Sequence, residues 1–223
     1  IDVGGTKCLG VAVDDSGKVV RQYRLPTPHA DALCDTLVEI VAQLGEFNLI
    51  GIGVPGLISP EGVIRASPNL VGAKELALRQ MLENRLGKKV LVENDATCAA
   101  LGEWSSGAAH GATDAWVITL GTGIGGGFIS GSVLQRGAHG FAGEVGHMVV
   151  DPDGPLCPCG RNGCWERYAS GNGLSYLANG EKGEDVLSRA KVGAADALGV
   201  VDTFAKWVAL GLVNLTNMTD PDV

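Results

Sequence analysis

The sequence predicts an α/β fold built from two related halves, and three observations predict it. Apolar, strand-like runs alternate with segments of helical period. A strand–turn–strand pattern around Gly4-Gly5-Thr6-Lys7 recurs around Gly121-Thr122-Gly123. The 34 glycines fall in short runs between apolar stretches, where they read as tight turns rather than linker. A chain of 223 residues can form one large domain or two small ones. We expect a small α/β lobe over residues 1–111 and a larger one over 112–223, with the boundary near Gly111 and a cleft between the lobes.

The elements follow in order. Ile1–Val3 and Leu9–Val13 are strands on either side of the first glycine turn. Asp14–Gly17 is a turn and Lys18–Arg24 a strand. Leu33, Leu37, Ile40, Val41 and Leu44 recur at helical spacing, which predicts an amphipathic helix over about 30–45. Leu49–Val54 is a buried strand, Glu75–Leu86 a helix, Lys89–Val92 a strand and Asp95–Trp104 an Ala-rich helix. The pattern restarts with strands at Ala115–Leu120 and Ile124–Ser130, then Val133–Arg136. His147–Asp151 reads as a short strand, followed by a Cys- and Gly-rich loop and helices from about 172 to 219. The chain opens with Ile1 inside a strand pattern and stops at Asp220–Val223 as another begins, so an incomplete C-terminal part is expected.

Seventeen Lys and Arg against 25 Asp and Glu give a net charge of −8, with no basic block. Phosphate contacts along a nucleic acid need clustered Lys and Arg, so no nucleic-acid partner is expected. No signal peptide or apolar run of membrane-spanning length is legible, so no membrane association is expected. Cys8, Cys34 and Cys98 stand singly in apolar segments. Cys157, Cys159 and Cys164 sit together, and in the cytoplasm, the expected compartment, such a cluster means metal more often than disulfide.

Gly121, Gly123 and Gly126 can be drawn as G-x-G-x-x-G, but the loop leads into the strand-like Phe128-Ile129-Ser130 and not into a helix. A dinucleotide fingerprint is therefore rejected, and no Walker A pattern is present. The remaining functional reading is two phosphate-binding hairpins. Their glycines admit an anion to the backbone, Thr6 and Thr122 donate hydroxyls, and Asp2 could hold Mg²⁺ through water. Ordinary hairpin turns are the alternative.

His147, Cys157, Cys159 and Cys164 form a set suited to tetrahedral Zn²⁺, and four protein ligands leave no open position, so the metal is expected to be structural. One ring nitrogen of His147 on the metal would leave the other as an N–H donor facing a substrate. Asp95 ends a strand and opens a helix. It reads either as a plain N-cap or as a general base at the mouth of the sheet. Glu144 and Glu166 are tethered to the cysteine loop, and Asn69 and Asn94 add amides suited to sugar hydroxyls.

These residues resemble a known family. Asp2-Val3-Gly4-Gly5-Thr6-Lys7 and Gly121-Thr122-Gly123-Ile124-Gly125-Gly126-Gly127 are similar to the two phosphate motifs of the ROK sugar kinases. Gly143-Glu144-Val145-Gly146-His147-Met148, with Cys157-Pro158-Cys159-Gly160-Arg161-Asn162-Gly163-Cys164-Trp165-Glu166, resembles the ROK signature and its zinc motif. The match runs from the first residue to about Gly171 and looks most like bacterial glucokinases of the actinobacterial type. The resemblance implies an actin-like, ribonuclease-H-like duplicated fold. It implies ATP, Mg²⁺ and phosphoryl transfer to the C6 hydroxyl of a hexose, in a dimer or tetramer. Asp95 would then be the base. Asn69, Asn94, Asp95, Glu144, His147 and Glu166 would bind the sugar, with Gly56 a looser candidate. Asp2, Gly4, Gly5, Thr6, Lys7, Gly121, Thr122 and Gly123 would serve the nucleotide and its metal.

The family continues past a segment like Asp220–Val223 into an adenosine motif, so weak ATP binding is expected of this chain. The competing readings are a ROK transcriptional regulator, or a ROK kinase for fructose, N-acetylmannosamine or N-acetylglucosamine, or one using polyphosphate. A zinc-structured binding module without catalysis is a more distant one.

Overall fold

The computed structural model describes residues 1–223 and divides them into two compact units. One comprises Ile1–Cys98 with Arg136–Phe141, the other Ala99–Gln135 with Ala142–Val223.

In the first unit, β1 (Asp2–Val3), β2 (Lys7–Val13) and β3 (Val19–Pro26) form an antiparallel meander. After a 3₁₀ turn at Ala30–Ala32 comes α1 (Leu33–Leu44), then β4 (Ile50–Val54). The three short strands β5 (Leu57–Ile58), β6 (Ile64–Ala66) and β7 (Lys74–Leu76) make a small sheet of their own. Then follow α2 (Leu78–Leu86), β8 (Val90–Asn94) and α3 (Asp95–Ser106). The main sheet has the order β3-β2-β1-β4-β8, with β1, β4 and β8 parallel. Leu33, Leu37 and Ile40 of α1 and Leu78 and Leu82 of α2 are buried against Val3, Ile52, Val54 and Val90 of the strands. That apolar burial, at about 25 cal/mol per Å², holds the helices on the sheet.

In the second unit, β9 (Ala115–Leu120), β10 (Ile124–Ser130) and β11 (Val133–Gln135) form another antiparallel meander, in the order β11-β10-β9. This repeats β3-β2-β1, as the duplicated turns predict. The edge of β1 is taken by parallel β4. At the matching edge of β9, Trp116 N–H donates to the Val223 carbonyl and Asp222 N–H to that of Asp114. The remaining elements are a 3₁₀ turn at Val145–His147, α4 (Glu166–Ala169), α5 (Gly171–Leu177), α6 (Gly183–Lys191) and α7 (Ala195–Thr219).

Four expectations need correction. The units part at Cys98/Ala99, inside α3, and not near Gly111, because Ala100 packs with Ala109, Ala115, Ile129 and Leu134. The helix predicted from Glu75 starts at Leu78, because Lys74–Leu76 pairs with Ile64–Ala66 and Glu75 has φ 50°. The strand predicted at His147–Asp151 is only the single bridge Val149–Cys164, because Val150 and Asp151 both direct their N–H groups at the Gly163 carbonyl. Finally, α7 is long and apolar enough, by length and composition alone, to cross a membrane. It also carries the Asp202–Lys206 ion pair, and its Trp207, Val208 and Leu215 pack with the fully buried Trp165.

Trp165 anchors this unit. Its Nε1–H donates to the Trp207 carbonyl at 2.7 Å, and a Cβ on Gly211 of α7 would run into the indole. Gly211→Ala is therefore expected to overpack the site by about 1–3 kcal/mol and to lower Tm by roughly 3–10 °C. An unchanged thermal unfolding curve would contradict this packing.

Candidate active site and metal centre

Each unit gathers its own set of predicted residues. In the first, parallel pairing sets Asp2 of β1 level with Gly53 of β4, and Gly53 level with Glu93 of β8. The carboxyl ends of three strands thus share one edge, where α/β proteins place their sites. Asp95 lies one step past that edge. Its Cα lies 3.5 Å from where a Cβ on Gly53 would project.

Asp95 is not the N-cap of α3. That role falls to Asn94, whose Oδ1 accepts from the Thr97 N–H at 3.0 Å and whose Nδ2 donates to the Gly56 carbonyl at 3.0 Å. The Asp95 carboxylate accepts the adjacent Ala96 N–H at 2.9 Å. Burial pushes its pKa above the ordinary carboxylate range. The Ala96 N–H opposes the shift and the charge of Asp2 adds to it. Beside it, Glu93 accepts from Arg136 Nε at 2.7 Å and from the Asn94 N–H at 3.0 Å. Sequence reasoning missed this clamp, because nothing in the spacing pairs residues so far apart.

The Gly4–Lys7 turn closes with Gly4 N–H on the Lys7 carbonyl, and the Thr27 hydroxyl donates to the Gly4 carbonyl at 2.6 Å. Gly5, Thr6 and Lys7 are exposed. The Asn69 carbonyl lies 3.8 Å from a Cβ position on Gly5, so Asn69 borders this turn.

In the second unit, Gly121 N–H closes its turn on the Gly123 carbonyl at 3.0 Å. Glu166 is committed here, since its Oε2 accepts from the Ile124 N–H at 2.9 Å and fills the space a Cβ on Gly123 would need. Tethered to the cysteine loop as expected, Glu166 therefore also braces the second glycine turn. The run Gly125–Gly127 has a further use. A Cβ on Gly126 would crowd Val145 at 3.0 Å and the Gly143 carbonyl at 3.3 Å, and one on Gly146 would strike the Ile124 carbonyl. These bare backbones let residues 143–147 lie directly on β10, which carries Glu144 and His147.

His147 Nδ1 lies 3.6 Å from Cys157 Sγ, and Cys159 Sγ lies 3.5 Å from Cys164 Sγ. All four ligand atoms are within 4.8 Å of one another. A tetrahedral zinc with bonds of about 2.0–2.3 Å needs ligand separations of about 3.5–3.8 Å, so the set fits. The chemistry fits as well. Burial pushes up the thiols of Cys157 and Cys164, and the neighbouring sulfurs add to the shift at Cys164, which reaches about 12, so both thiols need a cation to ionise. Burial also raises the Cys159 thiol, but hydrogen bonds from the Arg161 backbone, Cys164 and the Arg161 side chain outweigh it and bring the pKa to about 7. His147 Nε2 faces the other way, 3.9 Å from Glu144 Oε2.

A sequence model of the ROK family matches residues 1–223. The chain belongs to the ROK family. Its relatives include a Streptomyces coelicolor glucokinase, 36% identical over 99% of this chain and 78% of that protein. A Bacillus subtilis xylose repressor is 35% identical over 99% of this chain and 61% of its own length. The crystal structure of a Streptomyces griseus ROK glucokinase, solved with glucose and AMPPNP, superposes with a TM-score of 0.86 at 35% identity, covering 99% of this chain and 79% of that one. The α/β, actin-like architecture is therefore that of the ROK proteins.

Proposed function

We propose that this chain transfers the γ-phosphoryl group of ATP to the C6 hydroxyl of a hexose, with glucose as the substrate. The observation that carries the reading is Asp95, a half-buried carboxylate with a raised pKa at the shared edge of three parallel strands, in a chain with two exposed Gly/Thr turns. The similarity to glucokinases supports it.

In this mechanism Asp95 accepts the proton of the sugar hydroxyl as its oxygen attacks the γ-phosphorus. The bond from phosphorus to the β–γ bridging oxygen breaks, and ADP leaves with the electron pair. Backbone N–H groups of Gly4–Lys7 and Gly121–Gly123, the Thr6 and Thr122 hydroxyls and the Lys7 ammonium would hold the phosphates. Mg²⁺ bound with the nucleotide, placed by Asp2, would neutralise phosphate charge. Asn69, Asn94, Glu144, His147 and Glu166 would bind the remaining sugar hydroxyls, each having hydrogen-bonding capacity beyond its protein contacts. Zn²⁺ on His147, Cys157, Cys159 and Cys164 would hold the loop and fix His147 with its Nε2–H outward.

The test is ADP release measured with glucose, fructose, N-acetylmannosamine and N-acetylglucosamine, using ATP and then polyphosphate as donor. Glucose with ATP is expected to give the highest kcat/KM. The similarity to a xylose repressor favours a second reading, a sugar-sensing regulator. Sugar binding without any phosphoryl transfer would establish that one instead.

A further inference from the structure

The first glycine turn contains the pair Gly4-Gly5, and glycine adopts either sign of φ readily. The peptide plane between two such residues can therefore flip, which exchanges N–H for carbonyl on a given side. A phosphate accepts hydrogen bonds and is repelled by carbonyl oxygens, so a turn serves an anion only when its planes are fixed with the N–H groups towards it. Some group must hold the carbonyls of Gly4–Lys7 on the other side.

Thr27, the residue after β3, does this with both of its donors. Its hydroxyl donates to the Gly4 carbonyl at 2.6 Å and its N–H to the Thr6 carbonyl at 3.1 Å. All peptide bonds are trans, so in each plane the N–H points opposite to the carbonyl. Holding the Gly4 carbonyl turns the Gly5 N–H away from Thr27, and holding the Thr6 carbonyl does the same for the Lys7 N–H. The Thr27 hydroxyl also lies 3.6 Å from the sulfur of the fully buried Cys8, so it is seated against the core. The Gly121–Gly123 turn meets the same need with backbone groups. Gly171 N–H donates to the Gly121 carbonyl at 2.8 Å and Asn172 N–H to that of Thr122 at 3.3 Å. In the first turn one of the two holds is a side chain, which a substitution can remove.

We infer that Thr27 is a positioning residue for the phosphoryl donor, acting through the Gly4–Gly5 peptide plane and not by contact with the donor. Its role in turnover rests on the kinase reading, whereas its effect on the binding of a nucleoside triphosphate does not. Losing the hydroxyl frees one plane of a glycine pair and leaves the Thr27 N–H in place. The effect is then that of about one hydrogen bond, and it is confined to the donor.

The full chain is compared with its Thr27→Val and Thr27→Ser variants. Val keeps the β-branched shape and the backbone N–H but not the hydroxyl, and Ser keeps the hydroxyl. Thr27→Val should raise the KM for MgATP roughly three- to tenfold, with the glucose KM unchanged. Thr27→Ser should stay within about twofold of wild type. A hydroxyl that merely supports the fold would move the KM values of both substrates together, and that result overturns the inference. Thr27→Ala takes the place of Thr27→Val should the latter not fold. If neither folds while Thr27→Ser does, the hydroxyl serves the fold and the inference falls. Calorimetry with magnesium and AMPPNP keeps the two readings separable. If wild type phosphorylates no hexose, the kinase reading falls, yet weaker AMPPNP binding by Thr27→Val than by wild type and Thr27→Ser upholds the inference. A folded Thr27→Val with unaltered AMPPNP affinity, or a wild type that does not bind AMPPNP, overturns it.

Discussion

Replacing Asp95 by Asn is expected to lower kcat for hexose phosphorylation by about two to four orders of magnitude, the usual contribution of a positioned general base. Asn keeps the shape of Asp and can still accept the Ala96 N–H through its amide oxygen. It cannot take a proton from the attacking hydroxyl. Hexose affinity, read by calorimetry without donor, should therefore survive while turnover fails. Because Asn94 and not Asp95 caps α3, the substitution should leave the helix start intact. Turnover that persists in a folded Asp95→Asn protein would sink the base assignment.

The same carboxylate links activity to stability. Burial raises its pKa in the folded chain. Between the ordinary carboxylate value and the raised one, the folded state holds a proton that the unfolded state releases. Stability is then lost as pH rises through that window and stays lower above it. Asp95→Asn removes this penalty, so the variant should melt above wild type at neutral pH, with the gap closing below about pH 4. The wild-type kcat should fall as acid protonates Asp95, and the limb should lie above the ordinary carboxylate range. A variant at once less active and more stable marks a site that trades stability for chemistry.

Local pattern carried much of the architecture. The helical spacing of Leu33, Leu37 and Ile40 marks α1, and all three are buried. The glycine turns mark both hairpins, and the cysteine spacing marks a cluster that closes in space. What escaped was set by contacts distant in sequence. The strands β5, β6 and β7 have two or three residues each, too few to show a period. The Asp95 N-cap reading followed from its place at a helix start, but which side chain turns back onto the Thr97 N–H is decided by geometry. Gly125–Gly127 reads as more phosphate loop, whereas Gly126 serves the close approach of residues 143–147. Helix over the segment to residue 219 was legible, but the sequence left open where its helices part, and the structure shows one to be continuous over Ala195–Thr219.

Removing the proposed zinc is expected to cost the fold and the site together. Between the 3₁₀ turn ending at His147 and α4 beginning at Glu166 there is no helix or strand, only the bridges Val149–Cys164 and Leu156–Asn162. A loop of that length without regular structure needs a local anchor. A few backbone bonds help, among them Cys157 N–H to the Arg161 carbonyl at 2.8 Å and Trp165 N–H to that of Met148 at 2.8 Å. Those bonds lie within a few residues of the four proposed ligands, so loss of the metal should loosen them. Both flanks carry residues proposed to bind the sugar, His147 on one side and Glu166, which braces the Gly121–Gly123 turn, on the other. Cys164→Ser should reduce zinc from about one ion per chain to almost none. In zinc-finger peptides such binding is worth about 10–16 kcal/mol, so even a fraction of it should lower Tm by well over what Gly211→Ala costs. Hexose affinity should fall in the same variant, and in wild type stripped with a chelator it should return when zinc is restored. His147→Ala separates the two roles. It would remove one proposed zinc ligand and one proposed sugar contact, so it should lose more hexose affinity than Cys159→Ser at equal residual zinc. Wild-type protein that purifies without metal, yet melts and binds hexose identically after zinc is added, would leave the cluster as mere thiols.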